Sequence, residues 1–301
     1  MSARLFSVSV DLDGLGCYAA IHGLAPSRLG ERAQRAVPEV ALERFAGLFE
    51  AEGIRATFFA IGREIEEVPG AAQALGRAAR AGHEIGAHSW AHDYALSRRA
   101  PAEIDADLAR CDDVLARATG AKPRGFRAPG YTLSQTLLAA VSRRGYLYDS
   151  SLLPSPAYYL VKAVALALHS LAGRSSQSIL GGVGQLFAPR GAHWLAGMRE
   201  LPIATLPLLR GPVIGTVVLG APDALSTALA RAAFASGHLN LELHGIDLLD
   251  ATDAGSPELG RLQPGLKMPA AEKERRLRAL LRTLRARAEP CTLEQAALRL
   301  L

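Results

Sequence analysis

Cysteine is scarce in this sequence, with 3 residues in 301, which excludes a disulfide-stabilised scaffold. Cys17, Cys111 and Cys291 are far apart and form no metal-type pair, so we expect reduced thiols in a cytoplasmic protein. No uninterrupted apolar run reaches the ~20 residues of a membrane-spanning helix. Residues 1–10 indicate a strand and not a secretory signal. With 49% hydrophobic residues, the chain is too apolar for a disordered protein.

A large excess of one charge is also absent, since 34 basic and 29 acidic residues give a net charge of +5. We therefore predict an ordinary surface and no nucleic-acid partner. The most basic segment is residues 272–287, whose leucines fall on one helical face. This pattern predicts a last helix packed on the core with a solvated basic face, and a membrane-surface or nucleic-acid role is the alternative.

Strands and helices alternate along the chain, which predicts an α/β fold with a parallel sheet covered by helices. About seven strands with helical crossovers predict a distorted (β/α) barrel, in a single domain over residues 1–301. In such barrels the reactive residues lie at the carboxyl ends of the strands. The predicted strands are residues 5–10, 56–61, 84–88, 125–127, 200–203, 213–218 and 239–243.

Residues 155–190 interrupt this alternation. Residues 157–172 are almost all apolar but are too short and too interrupted to span a bilayer comfortably. Serines and glycines at 173–184 predict a mobile loop. We expect an apolar helical insertion that is either a buried helix followed by a surface loop, or a lid or membrane contact.

Two histidines lie four residues apart in residues 88–92, His-Ser-Trp-Ala-His, directly after a predicted strand. If this segment turns helically, both imidazoles lie on one face and reach one metal ion. Asp11 and Asp13 end the first strand, where residues two apart face the same way. One aspartate with two histidines is typical of a catalytic metal site, and a second aspartate could serve as general base. A structural cap is the alternative for the aspartates.

Two further segments end in polar residues. Arg127 opens residues 127–131, Arg-Ala-Pro-Gly-Tyr, where an arginine can orient a carboxylate and the turn offers backbone N–H groups. His244 closes the apolar strand 239–243 just before a glycine, so it is a candidate general acid. A structural histidine is the alternative at this position.

Taken in chain order, these segments resemble the polysaccharide deacetylase family, the NodB-homology carbohydrate esterases. The resemblance is close over residues 5–155 and looser beyond them. The single residue between Asp11 and Asp13 resembles a divergent, cytoplasmic branch of the family. The matching phrases are Val10-Asp11-Leu12-Asp13-Gly14, Ala56-Thr57-Phe58-Phe59, Gly82-His83-Glu84-Ile85-Gly86-Ala87-His88-Ser89-Trp90-Ala91-His92, Phe126-Arg127-Ala128-Pro129-Gly130-Tyr131, Gly145-Tyr146-Leu147-Tyr148-Asp149-Ser150-Ser151-Leu152 and Leu243-His244-Gly245.

The resemblance implies a metal-dependent hydrolase that removes an N-acyl group, usually acetyl, from an amino sugar. It implies that Asp13, His88 and His92 hold a divalent ion, usually Zn²⁺. It also implies that Asp11 takes a proton from the attacking water and that Arg127 holds Asp11 in place.

The same resemblance implies that His244 protonates the departing amine, and that a backbone N–H near Gly130 or Tyr131 stabilises the oxyanion. We expect Trp90, Gly130, Tyr131 and Trp194 to contact the substrate. Because residues 157–172 are apolar, the expected substrate is a small glycoside, or a lipid-linked sugar at the inner face of the membrane. Two other functions stay open: an allantoinase-like amidohydrolase acting on a non-sugar C–N bond, which can lack a metal, and a catalytically silent glycan-binding barrel.

Overall fold

The computed structural model describes residues 4–171 and 183–301. Their strands form one sheet in the order β6-β7-β5-β4-β3-β2-β1-β8, and β9 pairs with the start of β1. The strands are β1 (Leu5–Asp11), β2 (Thr57–Ala60), β3 (Glu84–Ala87), β4 (Gly125–Phe126), β5 (Tyr148–Asp149), β6 (His193–Leu195), β7 (Met198–Glu200), β8 (His238–His244) and β9 (Glu289–Pro290).

Helices surround the sheet, and a π-helical segment, Ala36–Ala41, leads into the third of them. The α-helices of the described residues are α1 (Leu15–Ile21), α2 (Glu31–Arg35), α3 (Leu42–Ala51), α4 (Gly62–Glu67), α5 (Ala71–Arg80), α6 (Pro101–Thr119), α7 (Gln135–Arg143), α8 (Pro156–Leu171), α9 (Gly215–Gly220), α10 (Asp223–Ala233), α11 (Ala251–Ala254), α12 (Pro257–Leu262), α13 (Ala270–Arg285) and α14 (Leu293–Leu300). Short 3₁₀ turns are Pro26–Arg28, Leu96–Arg98, Pro129–Tyr131, Val183–Gln185, Phe234–Ser236, Gly245–Leu248 and Pro264–Leu266.

The predicted distorted α/β barrel is confirmed, and its seven principal strands, β1–β5, β7 and β8, run parallel. Strand β1 is buried along its whole length, as expected for a strand with both faces covered. Residues after β7 connect β5 to β8 across the open side of the curled sheet. The Leu201 amide donates to the Asp149 carbonyl at 2.9 Å, and the Ala204 amide donates to the Asn240 carbonyl at 3.0 Å.

The predicted strand at residues 213–218 is wrong. Only Ile214 makes a parallel bridge, with Glu242, and the chain then turns into α9. The valines suggested a strand, but Val218 is buried in the core on a short helix, so tertiary packing overrides β propensity here. The strand predicted at residues 200–203 begins earlier, at β7, and ends at Glu200.

The apolar helix predicted at residues 157–172 is confirmed as α8, whereas the loop predicted at residues 173–184 lies mostly outside the described residues. None of the helices in the described part of the chain combines the length and apolarity needed to cross a bilayer. The basic helix predicted at 272–287 is α13, which buries Leu277, Leu281 and Leu284 against the core. It is not the last helix, because α14 follows it.

Candidate active site

The carboxyl ends of the parallel strands bring the predicted site residues to one edge of the barrel. Asp11 at the end of β1 is in register with His244 at the end of β8. His88 follows β3, and Arg127 follows β4. Adjacent parallel strands end at the same edge, so residues far apart in sequence become neighbours.

Three of these side chains form a compact cluster of potential metal ligands. Asp13 Oδ1 lies 3.3 Å from His88 Nε2 and 3.3 Å from His92 Nε2. All three residues are buried, and Asp13 Oδ1 and His92 Nε2 have no hydrogen-bond partner among the described residues. Burying a polar atom without a partner is costly, so an ion that binds both atoms would remove that cost.

The spacing and chemistry of the cluster fit zinc. Nitrogen and oxygen ligands of tetrahedral zinc lie ~2.0–2.1 Å from the ion, which places the ligand atoms ~3.3 Å apart. This separation is the one found between Asp13 and each histidine. Burial opposes the negative charge of Asp13, but His92 and His88 outweigh it and hold the pKa of Asp13 well below its usual range. A second cluster, Asp11, Glu242 and His244, is less suited because Asp11 pairs with Arg127 and because Glu242 and His244 pair with each other.

Hydrogen bonds orient the two imidazoles. His88 Nδ1–H donates to the Arg127 carbonyl at 2.8 Å, so Nε2 keeps its lone pair for an ion. His92 Nδ1 lies 3.5 Å from Cys17 Sγ. The helical turn considered for residues 88–92 is not formed. Instead Ser89 and His92 have positive φ values of 61° and 51°, and this loop brings the imidazoles together.

Asp107 on α6 fixes the conformation of that loop. Its two carboxylate oxygens accept hydrogen bonds from the backbone N–H groups of Trp90 at 2.8 Å and Ala91 at 2.9 Å. Ser89 Oγ accepts from the His92 N–H at 3.0 Å. The strained backbone that aims His92 is therefore held by three side-chain acceptor contacts.

Asp11 and Arg127 form a fully buried ion pair beside the cluster. Arg127 Nη1 donates to Asp11 Oδ1 at 2.6 Å, while the other oxygen of Asp11 lies 3.9 Å from His88 Nε2. Burial raises the pKa of Asp11, although the Arg127 guanidinium opposes this effect. The carboxylate is thereby held in one position, with its other oxygen directed towards His88.

His244 has a carboxylate partner that the sequence analysis missed. Its Nδ1 lies 2.8 Å from Glu242 Oε1, and Tyr131 donates its hydroxyl to the same carboxylate at 3.1 Å. Burial opposes protonation of His244, but Glu242 outweighs it and raises the pKa of His244 well above its ordinary value. The missed signal is an acid two residues before a histidine in one strand, a spacing that puts both side chains on the same face.

Four of these residues, Asp11, Asp13, His88 and His244, line a cavity of about 170 Å³. Of the predicted substrate contacts, the structure places Gly130 and Tyr131 in its wall. The Tyr131 N–H donates to the Ala128 carbonyl at 3.1 Å, so this group is already engaged within the turn. The lining residues are Asp11, Asp13, Tyr18, Ile21, His88, Tyr94, Gly130, Tyr131, Tyr158, Lys162 and His244. The sequence analysis missed Tyr18, Tyr94, Tyr158 and Lys162, because none of them lies in a strand-end motif.

Trp90 and Trp194 are not part of the cavity wall. The Trp90 indole donates to Glu66 at 3.0 Å, and the Arg110 guanidinium lies 3.6 Å from the ring centroid. Trp194, in β6, is 53% exposed and is covered in part by Arg199. The structure therefore separates both tryptophans from the cluster at the strand ends.

The family profile described as polysaccharide deacetylase matches residues 36–148, which include His88, His92 and Arg127. This part of the chain is similar to the polysaccharide deacetylase family. A peptidoglycan deacetylase of Helicobacter pylori is 28% identical over 149 residues, half of this chain and half of that protein. The chain thus spans about half the length of this curated relative.

Solved structures show the same fold. A protein from Mycobacterium smegmatis described as a polysaccharide deacetylase has a TM-score of 0.64 at 18% identity, covering 99% of this chain and 91% of that one. A pseudoenzyme of the same esterase family from Bacillus anthracis has a TM-score of 0.51 at 10% identity, covering 98% and 66%. Both similarities concern the fold of the chain.

Proposed function

We propose that this chain is a metal-dependent hydrolase that removes an N-acyl group, acetyl in the simplest case, from an amino-sugar substrate. We further propose that residues 1–301 act as a single catalytic domain. The observation that carries the proposal is the buried Asp13, His88 and His92 cluster with its unpaired ligand atoms. Similarity to the polysaccharide deacetylase family and to a peptidoglycan deacetylase supports the substrate class.

The metal would be held by Asp13 Oδ1, His88 Nε2 and His92 Nε2. We propose Zn²⁺ because two imidazole nitrogens and one carboxylate oxygen are typical ligands of catalytic zinc. A bound zinc ion supplies Lewis acidity, which makes water a sufficient nucleophile for an amide at neutral pH.

Two other side chains, Asp11 and His244, would carry out the proton transfers. Asp11 would accept a proton from the attacking water, and Arg127 holds its carboxylate at 2.6 Å so that the free oxygen faces the cavity. His244, charged because of Glu242, would give its proton to the departing amine nitrogen. Asp11 would act as the base because it is negatively charged before the reaction, and His244 would act as the acid because it is positively charged.

The turn at Gly130 forms the wall where the acyl oxygen would lie. Since the Tyr131 N–H is already engaged, we assign oxyanion stabilisation to the Gly130 N–H and a positioning role to Tyr131 through Glu242. Contacts from Trp90 or Trp194 would require a substrate that extends well beyond the cavity. We therefore place substrate binding at Gly130 and Tyr131.

We also propose that the protein is cytoplasmic and makes peripheral contact with the membrane. Exposed apolar side chains on α8 support it: Leu160 is 67% exposed, Val161 70% and Val164 52%. A membrane surface would bury these side chains, which would also bring a lipid-linked amino sugar to the site. Co-sedimentation with anionic vesicles should therefore fall when Leu160 and Val161 are replaced by serine, and unchanged binding would remove this part of the proposal.

The decisive experiment compares Asp11→Asn with Asp105→Asn, an isosteric change at an exposed ion pair on α6. Zinc-loaded protein should release acetate from N-acetylglucosamine oligosaccharides, and a chelator should abolish the release. Asp11→Asn should lower kcat by roughly 100-fold or more, whereas Asp105→Asn should leave it unchanged. Turnover that survives the chelator would favour an allantoinase-like amidohydrolase, and glycan binding without turnover would favour a silent barrel.

A further inference from the structure

Lys162 brings a positive charge from α8 into the wall of the active-site cavity. It lines the same cavity as Asp11 and His88. Its Nζ lies 3.4 Å from the Gly130 carbonyl oxygen and 6.0 Å from the centroid of the Tyr158 ring. These are weak contacts for an ammonium group, which has three N–H donors.

Lys162 is half-buried, whereas Lys273 is a buried lysine whose ammonium group has all three of its donors hydrogen-bonded. Lys273 donates to three backbone carbonyls, those of Ile246, Leu249 and Gly265. Lys162 has one long contact, and no carboxylate pairs with it among the residues that the structure describes. The contrast indicates that Lys162 keeps donors for something that is not part of the protein.

The charges around Lys162 support this interpretation. Asp11 pairs with Arg127, Glu242 pairs with His244, and Asp13 lies against His88 and His92. None of these carboxylates pairs with Lys162. Burial lowers the pKa of Lys162 to about 8, as expected for an ammonium group with little solvent and no opposite charge. An anion bound beside Lys162 would stabilise its charged form.

We infer that the site takes amino sugars that carry an anionic group, a phosphate or a carboxylate, and that Lys162 binds this group. The inference rests on the proposed function for the amino sugar, while the anion site rests on Lys162 itself. The contact with Gly130 places the anion next to the turn that faces the acyl oxygen. The charged group would therefore lie on the sugar ring that carries the acylated nitrogen, or on its immediate neighbour.

The test compares three sugars: N-acetylglucosamine, N-acetylmuramic acid and N-acetylglucosamine 1-phosphate. Calorimetry measures the binding of each sugar. The metal-free protein is used because a bound metal ion could itself bind the anions. Acetate release by zinc-loaded protein measures turnover. The variants are Lys162→Met, Lys162→Arg and, as a matched loss of charge at an exposed lysine, Lys267→Met. Unfolding temperatures show whether each variant is folded.

Wild type should bind a charged sugar more tightly than the neutral one, and the preferred anion distinguishes phosphate from carboxylate. Lys162→Met should weaken that binding by roughly 10- to 100-fold and leave the neutral sugar unaffected. Lys162→Arg should retain most of the preference, and Lys267→Met should behave as wild type. Equal binding of all three sugars by wild type, or an unchanged preference in folded Lys162→Met, would overturn the inference.

The two proposals fail in different ways. If wild type hydrolyses the neutral sugar and shows no preference for an anion, the proposed function stands and the anion site is lost. If no sugar is hydrolysed but Lys162→Met still loses binding of a charged sugar, the anion site stands and the proposed function is lost.

Discussion

Replacing Arg127 with methionine should lower the free energy of unfolding by roughly 3–5 kcal/mol, the usual cost of leaving a buried charge without its partner. The guanidinium is fully buried and donates to Asp11 at 2.6 Å. It also donates to Ser9 Oγ at 3.0 Å, and to the carbonyl and hydroxyl oxygens of Ser150 at 2.8 Å each. Methionine keeps an unbranched apolar chain, so the loss should come from these polar contacts.

A double variant separates the charge from the other contacts. Asp11→Asn removes the buried negative charge, so adding it to Arg127→Met should recover about 1–3 kcal/mol of stability. Urea denaturation with a chelator present measures each free energy, and unchanged slopes would show that the variants unfold alike. The reasoning is refuted if Arg127→Met costs less than ~1 kcal/mol, or if the double variant is less stable than Arg127→Met alone.

Three further predictions follow from single contacts. Glu242 raises the pKa of His244, so Glu242→Gln should move the alkaline limb of the pH–kcat profile to lower pH. On the alkaline side kcat should fall by roughly 100-fold. An alkaline limb at the same pH would contradict the role of His244 as the acid. Gly130→Ala should lower the free energy of unfolding by roughly 1–3 kcal/mol, because φ at Gly130 is +62° and a Cβ would lie 2.6 Å from Tyr94. Thermal denaturation measures the loss of stability. Leu277→Ala, in the core, should cost roughly 2–5 kcal/mol in urea yet leave zinc content unchanged, and a loss of zinc would be the contrary result.

The strands that carry the site were predictable because their hydrophobic residues indicate buried strands. The runs that became β1 and β8 end in polar residues, Asp11 and His244, and parallel topology places those ends at one edge of the sheet. Short-range patterns therefore placed Asp11 and His244 at strand ends, and the structure shows that these two strands are neighbours.

Features set by distant parts of the chain were not predictable in the same way. The loop that aims His92 depends on Asp107, which lies on α6 and carries no local signal for this role. The short helix α9 replaced a predicted strand because burial of Val218 is decided by its packing partners. Lys162 looked like an interruption of an apolar segment, and only the folded position of α8 shows that it reaches the cavity.

The central claim concerns one metal ion on Asp13, His88 and His92. Zinc titration of the metal-free protein, read by competition with a chromophoric chelator, tests it most directly. Wild type should bind about one equivalent tightly, as should Glu242→Gln, whereas Asp13→Asn and His92→Ala should lose the tight site. Tight binding that survives both ligand substitutions, or that is lost in Glu242→Gln alone, would contradict the account.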